Sequence, residues 1–466
     1  MKRLATPVVV IGAGPAGCVF ATRMAQLGFD VCLIERARFP RARLGESLSP
    51  GVMPMLASMG AAAAVEAARF PRVHAVDTNW EGTETVRQDP RAQGMLVDRG
   101  VFDAALLATA AARAGVRVLQ PAQVRRRVAT NDGWRLFIET ADGPVTLDAG
   151  FLADGSGRAA RLGGHRRAMG PRTIAIHGYW TGARLPERPR IEAGAREWYW
   201  GVPIPDGSYN TLVFVDAARF RTEPGISLDA RLRALLERSS LMRDTRDVAL
   251  RASARATDAT AYVDEDCVSD RHLKLGDAAL ALDPLSSSGV QKAIQTALSG
   301  AIVANTLLRR PEASEAALRF YRDSLSDAAT RHRAWAAEHY ATAAAWRPDP
   351  FWTSRASAAV ATASVPASGT PVADDIPVEL SPDARWEELP CLGAAYVELR
   401  SALRHPGVEG PVAYLGGHEL SPLLRSLGPG MTLRTLAQAW SSTVPLDTGV
   451  SIARWLSSHG VVRPAR

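Results

Sequence analysis

Two kinds of apolar patterning divide the chain. In the first, apolar residues run unbroken, as in Val8-Val9-Val10-Ile11 and Val31-Cys32-Leu33-Ile34. Such runs, bounded by turn residues, predict strands covered on both faces, as in a parallel sheet. The first run leads through Gly12-Ala13-Gly14-Pro15-Ala16-Gly17 into a helical stretch over residues 18–27, and the second closes on Glu35. Phe151-Leu152-Ala153-Asp154-Gly155 and Leu273-Lys274-Leu275-Gly276-Asp277 repeat the plan of a strand ending in an acid and a glycine. A helix is predicted over residues 102–115, leading into a strand at 116–119.

In the second kind, apolar and polar residues alternate. Residues 73–80, 174–181, 198–203 and 211–216 follow this pattern and predict an antiparallel sheet with one covered face. A helix at 228–241 follows, and a long helix over 312–346 closes this part of the chain. From 346 to 375 the sequence is rich in Ala, Ser, Thr and Pro, as expected of a linker or wrapping segment. Residues 376–466 then read as a small module, with short helices at 396–403, 420–427, 433–440 and 449–459 and a terminal extended piece.

The spacing of the first unit specifies a dinucleotide site. Gly12 permits a tight turn, Gly14 permits close approach of a pyrophosphate, and Gly17 permits the helix to pack on the strand. The free amides at the helix start, around Pro15 and Ala16, and the helix dipole favour the phosphates. Glu35 stands where it can accept hydrogen bonds from ribose hydroxyls, with Arg36 beside it.

Composition narrows the class. The chain has 466 residues, 47% of them hydrophobic, enough for a large core and two or three domains. No apolar run is long enough to span a membrane, and a short basic start leads directly into the first strand, so the expected location is the cytoplasm, with no membrane partner. The net charge of +7 is almost all arginine, spread among acids, and does not predict a nucleic-acid partner. Cys18, Cys32, Cys267 and Cys391 are scattered, which predicts structural thiols and no metal site.

Three nucleotide-facing strand ends spread over the chain resemble the FAD domain of aromatic hydroxylases and flavin-dependent halogenases. That resemblance implies an α/β fold: a glutathione-reductase-type FAD-binding Rossmann domain (1–70, 92–170 and 265–345), an antiparallel β-sheet substrate domain (71–91 and 171–264), and a small, mostly helical C-terminal domain resembling a winged helix. It implies FAD contacts at Gly12, Gly14, Pro15, Ala16, Gly17, Glu35, Arg36, Arg43, Ser47, Arg99, Val124, Asp154, Gly155, Gly276 and Asp277. Pro284, Ser287, Ser288, Gly289 and Val290 are implied at the flavin pyrimidine edge, where the next helix begins.

The segment Arg43-Leu44-Gly45-Glu46-Ser47-Leu48-Ser49-Pro50 resembles the Gly-Glu-Ser segment of halogenases, and Trp198-Tyr199-Trp200-Gly201-Val202-Pro203 matches their Trp-x-Trp-x-Ile-Pro motif except at Val202. Halogenation in that family passes through a lysine on a strand after the Gly-Glu-Ser segment. Here that strand is Arg72-Val73-His74-Ala75-Val76-Asp77-Thr78-Asn79-Trp80, without lysine, and the chain has only Lys2, Lys274 and Lys292. Arg72 falls near the position, but a guanidinium stays protonated and does not replace an amine. The halogenase reading is therefore disfavoured.

Oxygen transfer remains. Reduced flavin and O2 give a flavin hydroperoxide that an electron-rich ring attacks. Glu46, His74 and Asp77 are the acid-base candidates, and Trp200 a cavity-lining candidate. The chain resembles in particular the flavoprotein monooxygenases that hydroxylate a peptidyl tryptophan during formation of quinone cofactors such as cysteine tryptophylquinone. That implies a protein or peptide partner carrying the target tryptophan, which the C-terminal domain would help dock. The electron source is NAD(P)H or a separate flavin reductase. A hydroxylase of a small free or carrier-bound aromatic would carry the same motifs behind a sealed pocket. A geranylgeranyl-reductase-like enzyme would need a long apolar tunnel.

Overall fold

The computed structural model describes residues 2–88, 94–221, 225–245, 248–357 and 372–465. The unbroken apolar runs form the centre of a sheet because both of their faces are covered. Lys2–Ile11 lies between Gly143–Asp154 and Val31–Ile34, parallel to both, and Val31–Ile34 continues in parallel to Val116–Leu119. On the other side Gly143–Asp154 pairs in parallel with His272–Lys274, so Ile11, Asp154 and Lys274 end side by side. Helix Pro15–Gln26 packs against helices Arg99–Ala111 and Gly289–Arg309. Ala122–Thr130 and Gly133–Thr140 extend the sheet as an antiparallel meander.

Arg99–Ala111 starts three residues earlier than the helical pattern indicates, because Asp98 caps it by accepting the Gly100 amide at 2.6 Å. The long helix is Ser314–Ala344, and the helix after the alternating strands is Leu228–Leu236.

The alternating segments build a second sheet in the order Ala249–Leu250, Thr173–Thr181, Tyr209–Asp216, Trp198–Pro203, Arg190–Ala193, Ala75–Asn79 and Thr85–Gln88, with Arg255–Asp258 also beside Thr173–Thr181. Every neighbour is antiparallel except Ala75–Asn79 with Arg190–Ala193. Period-two alternation sorts its side chains. Ile176, Trp180, Val213 and Val215 face Leu232, Leu235 and Leu236 in one core, while Ala175, Trp198, Leu212 and Phe214 belong to another with Tyr340, Phe351 and Trp352.

The expected single strand over 73–80 is two pieces. Arg72–Val73 pairs with Gly94–Leu96 in a small sheet, and Ala75–Asn79 joins the large one. The chain changes sheets at His74.

By its contacts the chain divides into Met1–Ser314 with Tyr321–Val360, and Glu315–Phe320 with Ala361–Arg466. In the second unit, Leu420–Arg425, Leu433–Ala439 and Leu446–Ser458 are helices around a core of Leu420, Leu436, Trp440 and Leu456. The helix expected over 396–403 is instead the strand Val397–Arg404, the second of a hairpin with Arg385–Leu392, and Val378–Leu380 pairs with Val462–Pro464. Pairing with the neighbouring strand of the hairpin overrides the helical reading of so short a stretch. The expected linker at 346–375 falls partly on residues 358–371, outside the described residues, and its earlier part includes the helix Pro350–Ala356. Residues 89–91, the end of the first substrate-domain segment, also lie outside them.

Among the described residues no helix is long and apolar enough to cross a membrane.

Candidate functional site

The ends of the parallel strands and one face of the second sheet enclose a cavity of about 1130 Å³. Ligand pockets usually span roughly 300–1,000 Å³, so this one has room for a large cofactor together with a substrate.

The nucleotide end is built from backbone. Gly12 has φ +97°, and a Cβ there would lie 2.7 Å from the Gly155 carbonyl. A Cβ at Gly17 would lie 1.8 Å from the Gly12 carbonyl, so only glycine lets the helix start this close to the strand. At Gly14 the nearest atom would be Arg41 Nη2 at 3.7 Å, which leaves open space in front of the helix start. Glu35, at the end of its strand, accepts the Ala13 amide and the Ala37 amide, both at 2.9 Å.

The charges of this end fit a diphosphate. Burial, then the neighbouring guanidiniums of Arg41 and Arg36, hold Arg43 below the ordinary arginine value. Such crowding of like charge is relieved by an anion. Arg99 forms a two-pronged contact with buried Asp103, at 3.0 and 3.2 Å, and donates to the Leu44 carbonyl at 2.6 Å. It thereby holds the backbone that precedes Gly45 and Glu46.

At the other end, Asp283 caps the turn Pro284–Ser286 by accepting the Leu285 amide at 3.0 Å, and Tyr340 donates to its carboxylate at 3.1 Å. Ser287 has φ +49°, strained for a residue with a side chain. Ser287, Ser288, Gly289 and Val290 line the cavity at the start of the helix Gly289–Arg309, whose dipole favours negative charge there. Asp277 lines the cavity too. Burial opposes its charge, but the Lys292 ammonium at 2.7 Å, with Arg158 beyond, brings its carboxyl below the ordinary value.

Between the two ends lies Glu46, buried. Its Oε1 accepts from the Tyr179 hydroxyl at 2.5 Å and the Asn210 amide at 3.0 Å, and its Oε2 accepts the Gly45 amide at 2.9 Å. Burial raises its pKa against the opposing pull of the Tyr179 hydroxyl, the Glu46 and Gly45 backbone amides and the Arg99 charge. Burial also pushes the Tyr179 hydroxyl far above the tyrosine range, so it stays a donor.

Of the residues singled out in the sequence, the cavity wall collects Gly12, Gly14, Pro15, Ala16, Glu35, Arg36, Arg43, Glu46, Ser47, Arg99, Val124, Trp200, Gly155, Gly276 and Asp277, besides Pro284 and residues 287–290. Four stand elsewhere. Gly17 serves packing behind the turn. Asp154 is fully buried and holds its own loop, accepting the Ser156 amide at 3.0 Å and the Leu162 amide at 2.7 Å. His74 is exposed where the chain changes sheets, away from the cavity wall. Asp77 is held by Arg188 at 2.9 Å and Arg190 at 3.4 Å, also away from it.

Arg41, Tyr179, Asn210 and His177 line the cavity or bind Glu46 and were missed. Alternation would have put Ala175, His177 and Tyr179 on one face of a strand, but nothing local says which face meets the cofactor end.

The fold and this cavity define a flavin-dependent oxidoreductase that binds FAD. The FAD binding domain family matches residues 5–166 and the tryptophan halogenase family residues 91–365. The chain belongs to the tryptophan halogenase family. It is 30% identical over 340 residues to the tryptophan 2-halogenase of Chondromyces crocatus, covering 68% of this chain but only 64% of that enzyme. It is 25% identical over 339 residues to the 1H-pyrrole-2-carbonyl-[peptidyl-carrier protein] chlorinase of Pseudomonas fluorescens, covering 62% and 73%. Among solved structures, the peptidyl tryptophan dihydroxylase QhpG, essential for tryptophylquinone cofactor biogenesis, superimposes with a TM-score of 0.75 at 28% identity, over 98% of this chain and 99% of that one. The flavin-dependent halogenase CmlS shares the fold, with a TM-score of 0.75 at 21% identity over 99% and 96%.

Proposed function

We propose that this chain is an FAD-dependent monooxygenase that hydroxylates the indole ring of a tryptophan held within a protein or peptide, in the formation of a quinone cofactor. The observation that carries the proposal is where its three lysines stand. Lys274 is buried against Asp264 at 2.5 Å, Lys292 is engaged by Asp277 and the Leu280 carbonyl, and Lys2 is at the chain's start. None belongs to the cavity wall, so no ammonium is available there to carry a halogen to the substrate. The likeness to QhpG along nearly the full length of both chains supports the same reading.

FAD, when bound and reduced, supplies the electrons that activate O2, with NAD(P)H or a separate reductase as their source. The chain's own residues do the rest. The turn at Gly12 and Gly14, with Arg41 and Arg43, binds the diphosphate, and Glu35 takes the ribose. Leu212, Phe214, Trp198 and Trp200 exclude water and pack the aromatic ring. Glu46, whose burial raises its affinity for a proton, receives the proton that the ring carbon loses on hydroxylation, while Tyr179 and Asn210 fix the carboxylate's orientation.

The test is to reduce the holoenzyme in chloride- and bromide-containing buffer, admit O2 with a tryptophan-bearing peptide or protein, and weigh the product. One or two added oxygen atoms are expected. Incorporated halogen overturns the proposal, and oxidation of free or carrier-bound aromatics alone shifts it to the small-substrate reading.

A further inference from the structure

The sheet face that closes the cavity is apolar except for a few groups. The register sets Leu212 between His177 and Trp200, and in the next row Phe214 between Ala175 and Trp198. Trp198 and Phe214 are buried and stack face to face, their rings nearly parallel with centroids 3.7 Å apart, which stiffens this part of the wall. Tyr179 and Asn210, one row the other way, donate to Glu46, and Asn210, unlike His177, is not part of the cavity wall.

His177 is committed to nothing. Its side chain lines the cavity and the residue is 8% exposed, yet Nδ1 is buried without a partner. Among the described residues neither ring nitrogen makes a hydrogen bond. Native structures rarely leave a buried polar atom unpaired, and one beside a cavity calls for a partner that the chain itself does not supply. Arg255 lies beside His177 in register, and Tyr179 stands edge-on at 6.4 Å. Burial and the Arg255 charge push the histidine pKa down to about 4, so the ring is neutral near pH 7 and one of its nitrogens is a free acceptor.

We propose that His177 accepts the ring N–H of the indole that enters this cavity and so fixes which edge of the indole faces the cofactor end. The assignment rests on the reading of a tryptophan side chain as substrate. The apolar rows beside His177 match the flat body of an indole, and the acceptor matches its single donor.

The experiment uses the holoenzyme with oxidised FAD and follows the flavin absorbance during titration with indole, 1-methylindole and benzofuran. The last two share the shape but lack the N–H. Wild type is expected to bind indole about tenfold more tightly than either analogue, the scale of one hydrogen bond to a desolvated acceptor. His177→Phe should bind all three within about twofold of one another, and His177→Gln, which keeps a carbonyl acceptor, should recover part of the preference. FAD content and the unliganded spectrum report that each variant is folded, and the wild-type comparison needs no variant at all. No indole response, no preference in wild type, or a preference that survives in His177→Phe overturns the assignment. Halogen in the product together with an intact indole preference would instead overturn the monooxygenase reading and leave His177 standing.

Discussion

The two ends of the cavity are made differently. The nucleotide end consists of turns close together in the chain, braced by Glu35, which holds two amides, and by Arg99, which holds Asp103 and a carbonyl; one buried donor there, Arg41 Nε, has no partner among the described residues. The sheet end consists of side chains from strands far apart in the chain, and it keeps polar atoms without partners, at His177 Nδ1 and Asn210 Oδ1. Each end keeps an unmade bond for a ligand, but the nucleotide end offers a charged donor that suits phosphates, whereas the sheet end offers neutral groups that suit an uncharged ring.

The strongest way to break this contrast is at the turn. Gly17→Ala, whose Cβ would collide with the Gly12 carbonyl, should cost about 1–3 kcal/mol or more of stability and remove bound FAD, seen as a lower melting temperature and a colourless preparation. Gly14→Ala sharpens the point, because its Cβ has room in the protein alone. Its melt without FAD should match wild type, while FAD binding weakens about tenfold, as expected for one lost charge-assisted contact. Should Gly14→Ala bind FAD normally, the diphosphate does not lie where the turn is open.

At Glu46, tied to the sheet through Tyr179 and Asn210, the expectation reverses. Glu46→Gln should keep its FAD and lower product formation by about 10²-fold, the lower range for a lost acid-base group, read by comparing flavin content with product mass. Equal loss of FAD and product would make Glu46 a part of the cofactor end instead.

Smaller effects separate the two sequence candidates that stand outside the cavity. Asp77→Asn should lower stability by about 1 kcal/mol through its contacts with Arg188 and Arg190, with turnover unchanged, whereas His74→Ala should change neither.

The smallest effect is in pH. Burial lowers both His177 and His332 to about 4, from an ordinary 6.5. Between these values the unfolded chain binds protons that the folded chain does not, so the stabilisation, complete above about pH 6.5, declines as pH falls toward 4. His332→Gln, which keeps an acceptor for the Asp283 amide, should make the melting temperature less dependent on pH across that window, leaving the part due to His177.

How much of this was legible beforehand follows the same division. Gly12, Gly14 and Glu35 lie within one strand-turn-helix-strand unit, so spacing alone specified their relation. His74 and Asp77 sat on a correctly placed stretch, but the chain changes sheets between Arg72–Val73 and Ala75–Asn79, which turned one outward and tied the other to arginines. The segment Val397–Arg404 looked helical until its partner strand was known.

By itself, the sequence determined the nucleotide unit, the alternating strands and the scarcity of lysine, because each is written in neighbouring residues or in a count. Only the tertiary structure decided that Glu46, Tyr179 and Asn210 form one network and that His177 faces the cavity unpaired. Those outcomes depend on the register between distant strands and on which face of a sheet is covered, and neither quantity is encoded within any single segment.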